Sequence, residues 1–420
     1  MNSKITPWLA LGAASLWLAG CGTTPSPQHN TTNSSKSNSA PSTTSKTAKT
    51  GKPLKVIAFY DQTMTSTTPD PFALVKAHPG LVDYLSPFWY EVSATGSVTS
   101  KPEGNAAILA RQDNLPLLPL FNNAGGGSVF LHSASTRTAA INNIVSLVKS
   151  KHYRGVNIDF QLLKSTDRTD LTAFMQQLQK SMPKGDIISM SVVPLNSGNG
   201  QSSAYDFPAL DKVVNSMVLM AYDFHGDGTP PGPVSPYAWV QQGITTALKA
   251  GIQPSKLYLG IADYGYLWTN SSTKAATIPL KAMHQHKYGV YTWNNTYKEA
   301  TDTYTSGGVS HTIWFVNDKA AADRIALAKQ YHLGGVAFWR IGYEDAKWWN
   351  TVAAAIGTGS PTSGSTTTTQ GSRPKLSPQQ LKKTVKAPAN NAKNTVKKSV
   401  RKTNTNIIAP AKNTVNKTGP

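Results

Sequence analysis

Asp159 and Gln161 close the apolar run GVNIDFQ two residues apart, so in an extended strand they share one face. A carboxylate there can stabilise a developing positive charge. The amide beside it donates and accepts hydrogen bonds but releases no proton at any accessible pH. Similar polar and aromatic pairs end other short apolar runs: Tyr60 and Asp61, Trp89 to Glu91, Tyr222 and Asp223, Asp263 and Tyr264, and Trp339 and Arg340, with Asn157 just ahead of Asp159. Rings beside acids and amides suit a sugar, whose C–H faces stack on aromatic surfaces and whose hydroxyls need directional partners. Trp89 and Trp339, each next to polar residues, are expected to touch such a ligand.

These residues can meet only if their runs lie side by side. The runs are LKVIAFYD, LVDYLSPFWYEV, LPLLPLFNN, GVNIDFQ, IISMSVVP, SMVLMAYD, LYLGIADYG and GGVAFWRIG, and most are nearly continuous in apolar residues, as strands buried on both faces are. Between them, Ile141, Ile144, Val145 and Val148, and then Leu171, Phe174, Met175 and Leu178, fall at helical spacing. DKAAADRIALAKQYHLGG reads as a helix stopped by Gly334 and Gly335 before the last strand. Eight strands with helical crossovers predict a (β/α)₈ barrel, whose chemistry sits at the C-terminal strand ends. A doubly wound sheet is the alternative on pattern alone. The stretch from about 266 to 318 is too long for a loop and predicts a small α+β insertion between strands 7 and 8. His284 and His286 fall in that insertion with no further ligand evident, so neither a metal nor a cofactor is expected.

The ends of the chain differ from its middle. Residues 1–21 combine Lys4, the apolar run WLALGAASLWLAG and LAGC, which predicts a secretory signal with Cys21 as the lipidated residue and the membrane as anchor. Cys21 is the only cysteine, so no disulfide is expected. The formal charge of +20 resides in the tails: 17 of the 41 basic residues and none of the 21 acidic ones lie outside 53–357, leaving that part near neutral. Segment 22–52 reads as a Ser/Thr/Asn-rich tether, and segment 358–420 as a basic tail suited to anionic wall polymers or to solubility alone. An exported chain does not meet DNA, so nucleic acid is excluded as a partner; a monomer is expected.

GVNIDFQ, LMAYDFHG and GGVAFWRIGYED resemble glycoside hydrolase family 18, the chitinase-like barrels, and most closely its bacterial branch of spore and peptidoglycan N-acetylglucosaminidases. YLSPFWYEVSATGSV and LGIADYGYLWT resemble that branch's second and seventh strands. The family signature Asp-x-x-Asp-x-Asp-x-Glu falls on Arg154, Asn157, Asp159 and Gln161. The resemblance implies a substrate-assisted reaction, in which the sugar's own N-acetyl oxygen attacks the anomeric carbon. It gives Asp159 the role of stabilising the resulting cationic ring, Tyr222 and Asp223 that of holding the acetamide, and Trp339 that of a floor under the central sugar. At the general acid's position it finds Gln161. The expectation is a barrel that binds N-acetylated polysaccharide with weak or absent hydrolysis. One alternative is an active glycosidase using another acid, Asp263 before Glu91. The other is a structural envelope or spore protein. Tyr60, Trp89, Asn157, Asp263, Tyr264 and Trp339 are expected to line the sugar site, and Glu344 and Asp345 to be structural.

Overall fold

The computed structural model describes residues 54–61, 72–101, 106–123, 127–198, 200–285 and 290–357. Cys21, the tether, the basic tail and His286 lie outside the described residues. The strands are β1 (Lys55–Tyr60), β2 (Tyr84–Val92), β3 (Val98–Ser100), β4 (Leu120–Asn122), β5 (Gly155–Asp159), β6 (Ile187–Val192), β7 (Ser216–Leu219), β8 (Leu257–Ala262), β9 (Tyr264–Thr269), β10 (Ala275–Pro279), β11 (Thr292–Asn294), β12 (Glu299–Ser306), β13 (Val309–Phe315) and β14 (Gly335–Trp339). Eight of them run parallel in the order β1-β14-β8-β7-β6-β5-β4-β2, and β2 pairs back onto β1. That closes the (β/α)₈ barrel.

The lumen is filled by Ile57, Phe59, Leu120, Val218, Tyr258 and Ala337, with Tyr84, Phe88 and Trp339 against them. The helical stripes pack outside it. Helix Ala134–Lys151 buries Ile141, Ile144, Val145 and Val148, and helix Arg168–Ser181 buries Leu171, Phe174, Met175 and Leu178. Phe160, at the end of β5, lies against Phe174 and Phe130 at centroid distances of 5.3 and 5.1 Å. The barrel wall at the key strand end is thus fixed from behind.

Several elements differ from the sequence expectation. The run LPLLPLFNN forms a strand only over its last residues, because Pro116 and Pro119 cannot donate to a ladder; their carbonyls instead accept from Leu85 and Asn157. The helix Asp318–Gln330 ends before the predicted glycines, with His332 in the left-handed region. Gly334 and Gly335 serve close packing: a Cβ there would fall 2.0 Å from the Ser255 carbonyl oxygen and 2.3 Å from that of Lys55. LYLGIADYG is two strands broken at Asp263, so the insertion begins at Tyr264, earlier than expected, and its sheet is antiparallel in the order β10-β9-β13-β12-β11.

A buried ion pair joins this insertion to the barrel. Glu299, at the start of β12, accepts from the Val234 and Ser235 amides at 2.8 and 2.6 Å, and Arg324 lies 3.4 Å away. Arg324 also donates to the carbonyls of Lys298, Ala320 and Ser235. Ser235 in turn donates its hydroxyl to the Ala221 carbonyl at 2.6 Å, directly before Tyr222. Among the described residues no helix is long and apolar enough to cross a membrane, and no group of three or more His, Cys, Asp or Glu side chains could hold a metal ion.

Candidate active site

At the C-terminal strand ends, Asp159, Gln161, Tyr222, Asp223 and Trp339 line one cavity of about 380 Å³. Asp159 enters from β5 because Asn157 and Asp159 alternate toward the lumen. Beneath it, fully buried Asn157 donates to Ser189 Oγ and accepts from Ser191 Oγ, each at 3.0 Å. Asn157 is therefore a support one layer below the cavity and not a ligand contact, since its polar atoms are committed to those serines.

Past the strand the chain is held by Asn123. Its Oδ1 accepts from the Gln161 amide at 2.8 Å and its Nδ2 donates to the Gln161 carbonyl at 2.8 Å. Leu162 then turns through a left-handed conformation, its amide donating to Gln201 Oε1 at 2.9 Å. The Gln161 side chain folds back so that Nε2 donates to Asp159 Oδ1 at 2.9 Å and Oδ2 at 3.0 Å. Burial raises the Asp159 carboxyl to about 6, with the Gln161 bond acting in the opposite direction.

Because the folded value exceeds the ordinary 3.8, the fold binds this proton more tightly than the unfolded chain does. Ionised Asp159 therefore costs stability, increasingly as pH rises from about 4 to 6. Asp159→Asn is expected to raise unfolding stability at neutral pH by about 1–3 kcal/mol and to leave it nearly unchanged near pH 4. Urea unfolding at the two pH values checks this; a variant less stable than wild type at neutral pH would contradict it.

Asp223, in the left-handed region at φ 59°, lines the cavity. Tyr264 and Tyr266 both donate to its Oδ1, at 2.6 and 2.9 Å. Burial raises the Asp223 carboxyl and these two bonds oppose that shift. Burial likewise raises the Tyr222 phenol well above its usual range, with the Asp223 and Asp159 charges adding to it, so Tyr222 is a hydrogen-bond donor. Trp339 is half-buried, packs on Phe59 with centroids 5.5 Å apart, and is followed by a cis peptide to Arg340.

The structure places the remaining expected ligand contacts elsewhere. Trp89 is fully buried against Tyr153, because Tyr84, Ser86 and Phe88 take the lumen side and strand alternation turns Trp89 outward. Tyr60 packs at a tilt against Phe72, with centroids 4.9 Å apart, and does not line the cavity. Tyr264 is spent on Asp223. Asp263 is buried outside the cavity lining, accepts from the Arg340 amide at 2.6 Å, and is raised by burial and by the nearby Glu344 carboxylate. Glu344 accepts from Gly342 N and Trp349 Nε1, and Asp345 caps the helix Ala346–Ile356.

Met220, Trp239, Asn123 and Tyr266 escaped the sequence reading. Trp239 reaches the cavity from the helix Tyr237–Lys249, so no strand-end pattern marks it. Tyr266 was findable, as it stands two residues from Tyr264 on the same face of β9.

Comparison with known proteins bears on the fold and the family. The curated cortical fragment-lytic enzyme of Bacillus anthracis is 27% identical over 299 residues, covering 66% of this chain and 69% of that protein. Two crystal structures share the fold. The spore cortex-lytic enzyme SleL of Bacillus megaterium QM B1551 has a TM-score of 0.65 at 23% identity, over 73% of this chain and 74% of its own. A chitinase from Chromobacterium violaceum ATCC 12472 has a TM-score of 0.66 at 24% identity, over 72% of this chain and 99% of its own. The model of the glycosyl hydrolases family 18 matches residues 55–344, most of the chain, and the chain belongs to that family.

Proposed function

We infer that this chain is a lipid-anchored surface protein that binds N-acetylglucosamine-containing glycan, of peptidoglycan or chitin type, and hydrolyses it weakly or not at all. The observation that carries the reading is Gln161, an amide locked onto Asp159 where the family's proton donor would stand. Among the described residues, the cavity's other carboxyl group besides Asp159 belongs to Asp223, which is held as an acceptor by two phenols. Asp263, the alternative acid, is tied to the Arg340 backbone away from the cavity lining. What remains suits recognition: Trp339 as a stacking surface, Tyr222 as a donor toward an acetamide oxygen, and Asp159 as an acceptor for its N–H. Export and anchoring through Cys21, with the segment 22–52 as tether and the basic tail on anionic wall polymers, complete the proposal.

The test is calorimetric binding of chitooligosaccharides and peptidoglycan fragments alongside product analysis. Wild type is expected to bind without turnover, and Trp339→Ala to lose about tenfold or more in affinity, as central aromatic anchors do. Brisk hydrolysis by wild type that Asp263→Ala abolishes would replace this reading with an active enzyme. Absence of binding would leave an envelope-structural role.

A further inference from the structure

We propose that Gln161 selects glycan chain ends: the groove takes a sugar bearing a free hydroxyl where an uncut chain carries its bridging oxygen, and Gln161 Oε1 accepts from that hydroxyl. The proposal rests on the reading of this cavity as an N-acetylated glycan site. Its basis is the direction of the amide. Nε2 donates to both oxygens of Asp159 and has Met220 Sδ at 3.7 Å, so the nitrogen end points into the wall. An ionised carboxylate only accepts, which fixes that orientation, and the Asn123 clamp holds the Gln161 backbone from which the side chain reaches Asp159. The remaining polar end is Oε1, to which no described side chain donates, on a residue that lines the cavity.

A bridging glycosidic oxygen has no hydrogen and can only accept. Seated at this point, it faces a second acceptor and leaves a desolvated carbonyl without a donor. A hydroxyl supplies the missing donor. Two chain ends offer one: the C1 hydroxyl of a reducing end and the O4 hydroxyl of a non-reducing end. Hydrolysis of a glycosidic bond adds water across it and creates one of each. Glycan hydrolysis is therefore the class of reaction that supplies this ligand, and the groove is shaped for its products.

The experiment uses the full chain and chitotriose in four forms: unmodified, a methyl glycoside at C1, 4-O-methylated at the non-reducing end, and blocked at both ends. Binding is measured calorimetrically at mildly alkaline pH, where Asp159 is ionised. The doubly blocked form is expected to bind about tenfold or more weakly than the unmodified one. The singly blocked form that shares the loss identifies which end is read. Gln161→Met keeps the bulk without the acceptor and is expected to bring all four forms within about twofold of one another. Equal wild-type binding of the unmodified and doubly blocked forms overturns the proposal and leaves the glycan-binding reading intact, and so does a preference that survives in Gln161→Met. Failure of all four forms to bind wild type overturns that reading itself, and the proposal with it.

Discussion

Gln161→Glu is expected to raise hydrolysis of chitooligosaccharides by about 10²–10⁴-fold over wild type, the size of a general-acid contribution. The backbone that presents position 161 is already held by Asn123 on both its N–H and its carbonyl, so a glutamate takes the same place. There it meets the buried Asp159, and burial with a like charge beside it raises a carboxyl's affinity for its proton. A protonated glutamic acid next to an ionised aspartate is the pairing that substrate-assisted cleavage needs, one group giving a proton to the leaving oxygen and the other steadying the cationic ring. Turnover by this variant is expected to follow a bell-shaped pH profile, falling on the acid side as Asp159 is protonated and on the alkaline side as the introduced carboxyl group loses its proton. Reducing-end release measured for wild type, Gln161→Glu and Gln161→Ala checks this. Equal activity in all three would show that position 161 does not govern the chemistry.

Arg324→Met is expected to destabilise the barrel by about 3–5 kcal/mol, because it strands the Glu299 carboxylate where both partners are almost wholly removed from water. The double variant Arg324→Met with Glu299→Gln is expected to recover much of that loss, since no charge is then left unpaired. Urea unfolding of the two single variants and the double one measures the coupling. The variants carry a second readout in the site. The pair holds Ser235, and Ser235 holds the carbonyl just before Tyr222, so ligand affinity is expected to fall with Arg324→Met even where the protein remains folded. Additive single effects would show that the two side chains act independently.

The barrel was legible because its strands are buried on both faces and therefore spell continuous apolar runs, while its helices keep one apolar stripe. Strand ends were harder to read. Trp89 stands among polar residues and looked like a ligand contact, yet β2 runs on past it to pair with β3, and alternation from Phe88 sends its ring outward. Asp263, the alternative acid on the sequence, is turned toward Arg340 by the break between β8 and β9. Trp239 could not have been found by any strand-based rule, since three-dimensional closure alone brings its helix to the cavity. Asp159, Gln161, Tyr222, Asp223 and Trp339 were readable because short spacing within a strand end leaves little room for their side chains to diverge.

Asn123 grips position 161 by its main chain alone, making no demand on the side chain that follows. A codon for glutamine differs from one for glutamate at a single base. The loop therefore stays shaped for either residue, and a lineage could pass between a reader and a cutter of glycans without rebuilding anything around it.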